Sequence, residues 1–358
     1  MMTKILQRYI AKTIIFATAL TTVIISAVLF LMTLLAELKN IGEGDYGFGQ
    51  ALMYVIMRMP GELYHFVPML VLLGGIAGLS ILSSYRELTV MRVSGFSIKQ
   101  ITLSVLAAAL MLTMLIGIVG ELAAPKLSHF AEITKENHKN GGQAVVTAAG
   151  VWLHVDNNFI HVEQVIGQHL LQGVTRYQFD NAHHLQATYY AKRLVLKDQQ
   201  WIMQDAVKTS FIGDHTRSEA FTSVPLDLKI NTNLLTMGVV DPNEMSLPKL
   251  YHFVDFLEKN GLQSSEYRYE FWQRIFQPLA TLTMIFLAIP FVLGAFRGAT
   301  LGFRMVAGVL IGFAFFILNS FLGQICIVYQ VPAMFAAILP IILFAMLGIF
   351  LSRQMIKQ

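Results

Sequence analysis

Long apolar runs occupy both ends of the chain, and a stretch of alternating apolar and polar residues separates them. An α-helix rises about 1.5 Å per residue, so crossing the hydrocarbon of a bilayer takes roughly 20 apolar residues. Six stretches meet that length: residues 13–36, 66–85, 100–120, 275–296, 305–329 and 331–352. The second reaches back toward Ala51, with Pro60 and Pro68 as kink points, because proline removes a helical hydrogen bond. The first run is longer than the apolar core of a cleaved secretion signal and reads as an uncleaved span.

From Ala144 onward the period changes to two. Val151-Trp152-Leu153-His154-Val155 and Phe159-Ile160-His161-Val162 flank Asp156-Asn157-Asn158, which predicts a hairpin. Further strand-like runs at 173–179, 186–196, 201–204 and 220–230 are separated by turn-forming residues, which suggests a sandwich or a rolled sheet. A helix is expected from Ser246, with Leu250, Phe253, Val254 and Leu257 on its apolar face and Gly261 as its stop. The resulting fold class is an α-helical polytopic membrane protein with six transmembrane helices and an inserted all-β domain. Residues 1–124 hold three spans, 125–267 the insert and its connecting helix, and 268–358 three more spans.

Composition agrees: 55% of the 358 residues are hydrophobic and 13% charged, about half the charged share of a soluble domain. The net charge of +4 does not indicate nucleic acid, because the basic residues flank apolar runs instead of clustering on one polar element. Lys4, Arg8, Lys12, Arg86, Arg92, Lys99, Arg297, Arg304, Arg353 and Lys357 fall on one side of the spans, opposed there by Glu87. The short loops of the other side carry Lys39 and Arg58 against Glu37, Glu43, Asp45 and Glu62. This asymmetry predicts cytoplasmic termini and an insert outside the cytoplasm.

No nucleotide-binding Gly-x-x-x-x-Gly-Lys loop, His-Glu-x-x-His pattern or cysteine cluster is present, and Cys326 is the single cysteine. His183-His184 reads as a solvated turn, and His154 and His161 as polar strand positions. The span centres hold almost no ionisable groups; Arg58, Glu62, His65 and Glu121 sit near span ends. A transporter that couples to protons or ions keeps costly charges in its core, so energy is expected to come from a partner and not from an enzyme activity of this chain.

The connection between the second and third spans is short and basic. Ser84 with Glu87 fits a capping box and Gly95 a helix stop, so a short helix over 84–95 with exposed Leu88 and Met91 is expected. Two readings compete: a connector lying on the membrane, or a coupling helix that docks on a cytoplasmic ATPase.

Arg86-Glu87-Leu88 through Ser94-Gly95-Phe96, and Arg8-Tyr9-Ile10-Ala11-Lys12-Thr13, resemble motifs of the LptF/LptG family of lipopolysaccharide export permeases. Trp272-Gln273-Arg274-Ile275-Phe276-Gln277-Pro278-Leu279 resembles the start of the fourth span in the LptG branch, and Asp241-Pro242 with the following helix resembles features of the same branch. The resemblance covers the whole chain.

It implies an inner-membrane permease with a periplasmic β-jellyroll, paired with an LptF-like permease and two LptB-like cytoplasmic ATPases. That complex passes lipopolysaccharide to LptC-like and LptA-like bridge proteins. No cofactor is implied in this chain, since the ATP and magnesium belong to the partner ATPase. Arg86, Glu87, Leu88 and Met91 fall at the ATPase-coupling position. Lys39 falls beside lipid phosphates, and Phe66, Arg297, Phe313 and Phe316 line or border the lipid path. Thr33 and Asn40 stand where the family has further basic residues, which thins the positive charge on that face. The small pair Gly308 and Gly312 predicts close approach of the fifth span to a neighbour, expected to be the partner permease. The rival functions are a permease for another lipid or lipoprotein, which usually has four spans, and a non-transport membrane scaffold or sensor. Copurification of an ATPase separates the last from the rest.

Overall fold

The computed structural model describes residues 2–139, 151–155, 158–166, 170–180, 184–197, 200–212, 215–226, 242–259, 262–296 and 298–357. Helix α1 (Met2–Glu37) ends in a 3-10 turn at Leu38–Asn40. Helices α2 (Phe48–His65) and α3 (Val67–Ser84) meet at a break on Phe66. The short α4 (Glu87–Val93) precedes α5 (Ile98–Leu122), which α6 (Ala124–Lys139) extends. After the β domain come α7 (Leu247–Lys259), α8 (Ser265–Pro290) with a π turn at Phe291–Ala295, α9 (Leu301–Tyr329) and α10 (Ala333–Lys357). Among the described residues, six helical stretches are long and apolar enough to cross a membrane. Each contains or overlaps one of the six predicted runs.

The bundle is built around α3, where 13 of 18 residues are buried. That helix is apolar on every side, as a helix enclosed by others must be. Gly74 lies against the backbone of Thr18 on α1, and Gly75 against Ile285 on α8, leaving no room for a side chain at either position. Small residues let helices approach closely where no water-driven force assembles them. Gly308 and Gly312 on α9 behave the same way, but their neighbours are Leu73, Ile76 and Met69 of α3. The expected contact with a partner permease at this pair is therefore corrected: α9 uses it to pack inside its own chain. In contrast, α1 turns Phe16, Leu20, Val23, Leu31 and Leu35 outward.

The inserted domain is a six-stranded antiparallel sheet in sequence order. Its strands are β1 (Val151–Val155), β2 (Asn158–Ile166), β3 (Leu170–Phe179), β4 (Leu185–Lys197), β5 (Gln200–Ile212) and β6 (His215–Leu226). The predicted hairpin pairs Val155 with Asn158 and Val151 with Val162; its Asp156-Asn157 tip lies outside the described residues, as do Ala144 and Gly261. Strand β5 runs eight residues beyond the predicted 201–204, because its polar outer positions hid the alternation. Ile160, Val162, Leu171, Leu194, Trp201 and Met203 form the core on one face of the sheet.

Candidate functional site

The α3–α5 connection is held from behind by its own apolar face. Leu88 and Met91 are buried in the main core with Ile10, Leu79 and Ile101. The expectation that they are exposed is corrected: i,i+3 spacing makes a face, and the bundle takes that face. The capping box is corrected as well. Ser84 is the last residue of α3, so it cannot open α4; the chain turns instead through Arg86 in the left-handed region, φ 58°, with no side-chain cap. Gly95 does stop the helix. At φ +88° it lets its own N–H reach the Arg92 carbonyl (3.1 Å) and the Phe96 N–H reach that of Met91 (2.9 Å), a Schellman motif.

What α4 leaves outside is Val93 (85% exposed), Val90, Arg92 and the preceding Tyr85 (75%). The Glu87 carboxylate lies beside the Tyr9 hydroxyl, so the two motifs nearest the N-terminus meet here. Its Oε2 is buried without a hydrogen-bond partner among the described residues.

The second site is a cavity at the break between α2 and α3. Phe66 and Phe316 stack there with ring centroids 5.1 Å apart. Below them is a small space of about 60 Å³ whose wall is apolar at Met69, Phe276, Phe315 and Ile341 and polar at Glu270, Arg274 and Gln277. Above them opens a mouth of about 450 Å³, lined by Arg58, Glu62, Glu270, Gln273, Asn319 and Gln324 among others. The Trp272–Leu279 motif supplies both kinds of wall. Gln273, Arg274 and Gln277 line the cavity, while Trp272 stacks on Phe276 at 5.6 Å toward Tyr269 and Cys326.

Arg58 and Glu62 also border an adjoining recess that contains Lys39. Lys39 is exposed on the 3-10 turn. Lys135 of α6 points into the same recess but is paired with buried Glu37 at 2.9 Å and lies 4.4 Å over the Tyr54 ring. Glu37 also accepts from Asn40 and from the Tyr46 hydroxyl, each at 3.0 Å. Burial, and then the carboxylate beside it, pushes the Tyr46 hydroxyl up, so it stays a donor. Tyr54 bridges Arg58 (2.6 Å) to Glu132 (2.9 Å).

The structure thus brings Phe66 and Phe316 together and sets Lys39 near their polar mouth. It does not bring in Phe313, which is 54% exposed on the outer side of α9, whereas Phe315 (8%) faces inward against Phe344. Arg297 lies outside the described residues. Sequence reasoning passed over Arg274 and Glu270 as a site, although their i,i+4 spacing at the edge of a span was a readable signal. Among the described residues no His, Cys, Asp or Glu group could hold a metal ion.

Comparison with known proteins agrees with this architecture. Residues 8–354 match the family described as Lipopolysaccharide export system permease LptF/LptG. The chain is 32% identical over 355 residues to the lipopolysaccharide export system permease protein LptG of Haemophilus influenzae, covering 98% of each. It is 31% identical over 353 residues to the protein of the same name from Escherichia coli K12, again covering 98% of each. With six candidate spans, an inserted β domain and a match over nearly its full length, the chain belongs to the LptF/LptG permease family.

Proposed function

We propose that this chain is the LptG-type permease of an ATP-driven exporter that extracts lipopolysaccharide from the inner membrane and hands it to a periplasmic bridge. The observation that carries the reading is the two-part cavity, with stacked aromatic walls below a polar mouth, between helices that cross the membrane. A lipid with several acyl chains and a phosphorylated headgroup needs both environments. Acyl chains meet Phe66, Phe316 and the apolar depth, and phosphates meet Lys39 and Arg58 at the outer recess.

The termini and α4 face the cytoplasm, and the β domain faces the periplasm, following the charge asymmetry. An LptF-like permease completes the cavity, and LptC-like and LptA-like proteins receive the lipid. Two LptB-like ATPases supply the energy and use the ATP and magnesium. One docks on the outer face of α4, where Arg86 and Glu87 sit beside exposed Val90 and Val93, with Leu88 and Met91 anchoring the helix from behind.

A photocrosslinking amino acid at Phe66 or Phe316 is expected to capture lipopolysaccharide in the assembled complex, and to lose that capture in a reconstitution lacking it. Single cysteines at Ser84 and Gln354 label from the cytoplasm, and one at Ser218 from the periplasm. Capture that does not depend on lipopolysaccharide, or the reverse labelling, overturns the reading.

A further inference from the structure

The segment that returns from the β domain ends on one buried side chain. Arg274 of α8 is 4% exposed. Its Nε donates to Glu270 at 3.3 Å, its Nη1 to Glu121 of α5 at 3.4 Å, and its Nη2 to the main-chain carbonyl of Asn243 at 2.5 Å. Glu121 accepts in turn from the N–H of Leu247, the first residue of α7. Removing one member of such a buried set strands the others without compensation, so the set acts as a unit. The Pro242–Glu244 turn and the start of α7 are thereby fastened to two membrane helices.

The same guanidinium leads to the cavity. It lies 5.9 Å over the ring of Tyr64. Gly120, next to Glu121, abuts that ring so closely that a side chain there has no space. Gln277, one turn beyond Arg274, donates to the Tyr64 carbonyl. Tyr64 stands two residues before Phe66, at the break where α2 ends. A contiguous set of packed groups therefore joins the return segment to the aromatic stack. Packed side chains and hydrogen bonds of this kind can carry coupling between separated sites, and only a measured coupling establishes it.

We propose that Arg274 is a positioning residue through which the segment returning from the β domain sets the Phe66–Phe316 stack, and so the cavity's grip on an acyl chain. The grip rests on the transport reading above; the fastening does not.

The test uses the full chain in membranes with its partner chains and Cys326→Ala throughout. A cysteine at Ser246 reports release of the return segment through its maleimide labelling rate. A photocrosslinker at Met69, on the cavity wall, reports lipopolysaccharide capture. Arg274→Met raises labelling about tenfold or more and lowers capture. In Arg274→Met, a short bismaleimide between Glu121→Cys and Ser246→Cys refastens the segment and restores capture. Where Arg274→Met does not assemble, Glu121→Gln moves both readouts in the same direction. Unchanged labelling, capture that stays high while labelling rises, or a tether that restores nothing overturns the proposal. Absence of capture in the unsubstituted chain overturns the transport reading instead, and labelling still tests the fastening.

Discussion

Phe66 and Phe316 stack nearly face to face, with ring planes 17° from parallel, and join the start of α3 to the middle of α9. Aromatic pairs of this kind contribute about 0.5–1.5 kcal/mol beyond the area they bury. Phe316→Ala removes the pair and opens the cavity roof, so lipopolysaccharide capture at Met69 is expected to fall several-fold. Phe316→Leu retains apolar volume and falls between. Phe313→Ala, outside the cavity, leaves capture unchanged. Equal losses at positions 313 and 316 contradict the assignment of the cavity wall.

Leu88 is 3% exposed and Val93 85%, on one seven-residue helix. Leu88→Ala leaves a hole in the main core and is expected to cost about 2–5 kcal/mol. A thermal unfolding midpoint in mild detergent reads it. Val93→Asp leaves that midpoint nearly unchanged and reduces the amount of ATPase that copurifies. A stability loss at Val93 as large as that at Leu88 shows the docking face has been placed wrongly.

Glu87 is the acidic residue of the first turn of α4 and already meets Tyr9. In the proposed docking its carboxylate meets a basic groove on the ATPase; Glu87→Lys would turn that attraction into repulsion, and juxtaposed like charges cost several kcal/mol across an interface. Complex assembly is expected to fail while the permease still inserts. Glu87→Gln keeps a partner for Tyr9 and is milder. Full assembly with Glu87→Lys limits Glu87 to a local role.

Glu37 and Lys135 are both nearly enclosed, 2.9 Å apart. Glu37→Gln leaves the Lys135 ammonium buried without its counter-ion, at a cost of about 3–5 kcal/mol. The double substitution Glu37→Gln with Lys135→Met recovers most of that, because no charge remains to desolvate. Thermal midpoints of the four variants in the cycle measure the coupling, and a double variant no better than Glu37→Gln contradicts it.

The membrane helices were legible because a span needs about 20 apolar residues and little else is that long and that apolar. The β domain was legible from period two, with β5 cut short where polar residues interrupt it. The sense of α4 was not. The spacing of Leu88 and Met91 defines a face, and tertiary packing alone decides whether that face meets the bundle or a partner. Glu270 and Arg274 share a helix and could be paired from sequence, whereas the third member, Glu121, joins from a distant helix that no local pattern connects to them. Phe315 and Phe316 illustrate the same limit. An unbroken apolar run on a span gives no phase, and Phe315 turns to Phe344 while Phe316 turns to Phe66.

The stretch Ile98–Lys139 runs 42 residues as a membrane-length helix with an extension. At 1.5 Å per residue that is about 63 Å, twice the roughly 30 Å of hydrocarbon it has to cross. At the far end Lys139 pairs with Glu43 at 2.7 Å, and the Asp45 N–H caps the His138 carbonyl at 2.9 Å, so the overhang is braced by the α1–α2 loop. A bilayer that thins or thickens by a few Å therefore moves the waterline along these helices without changing the separation between the aromatic cavity and the point where the chain leaves for the β domain. On the proposed transport reading, the distance over which lipid is handed on is set by protein length and is the same in membranes of different lipid composition.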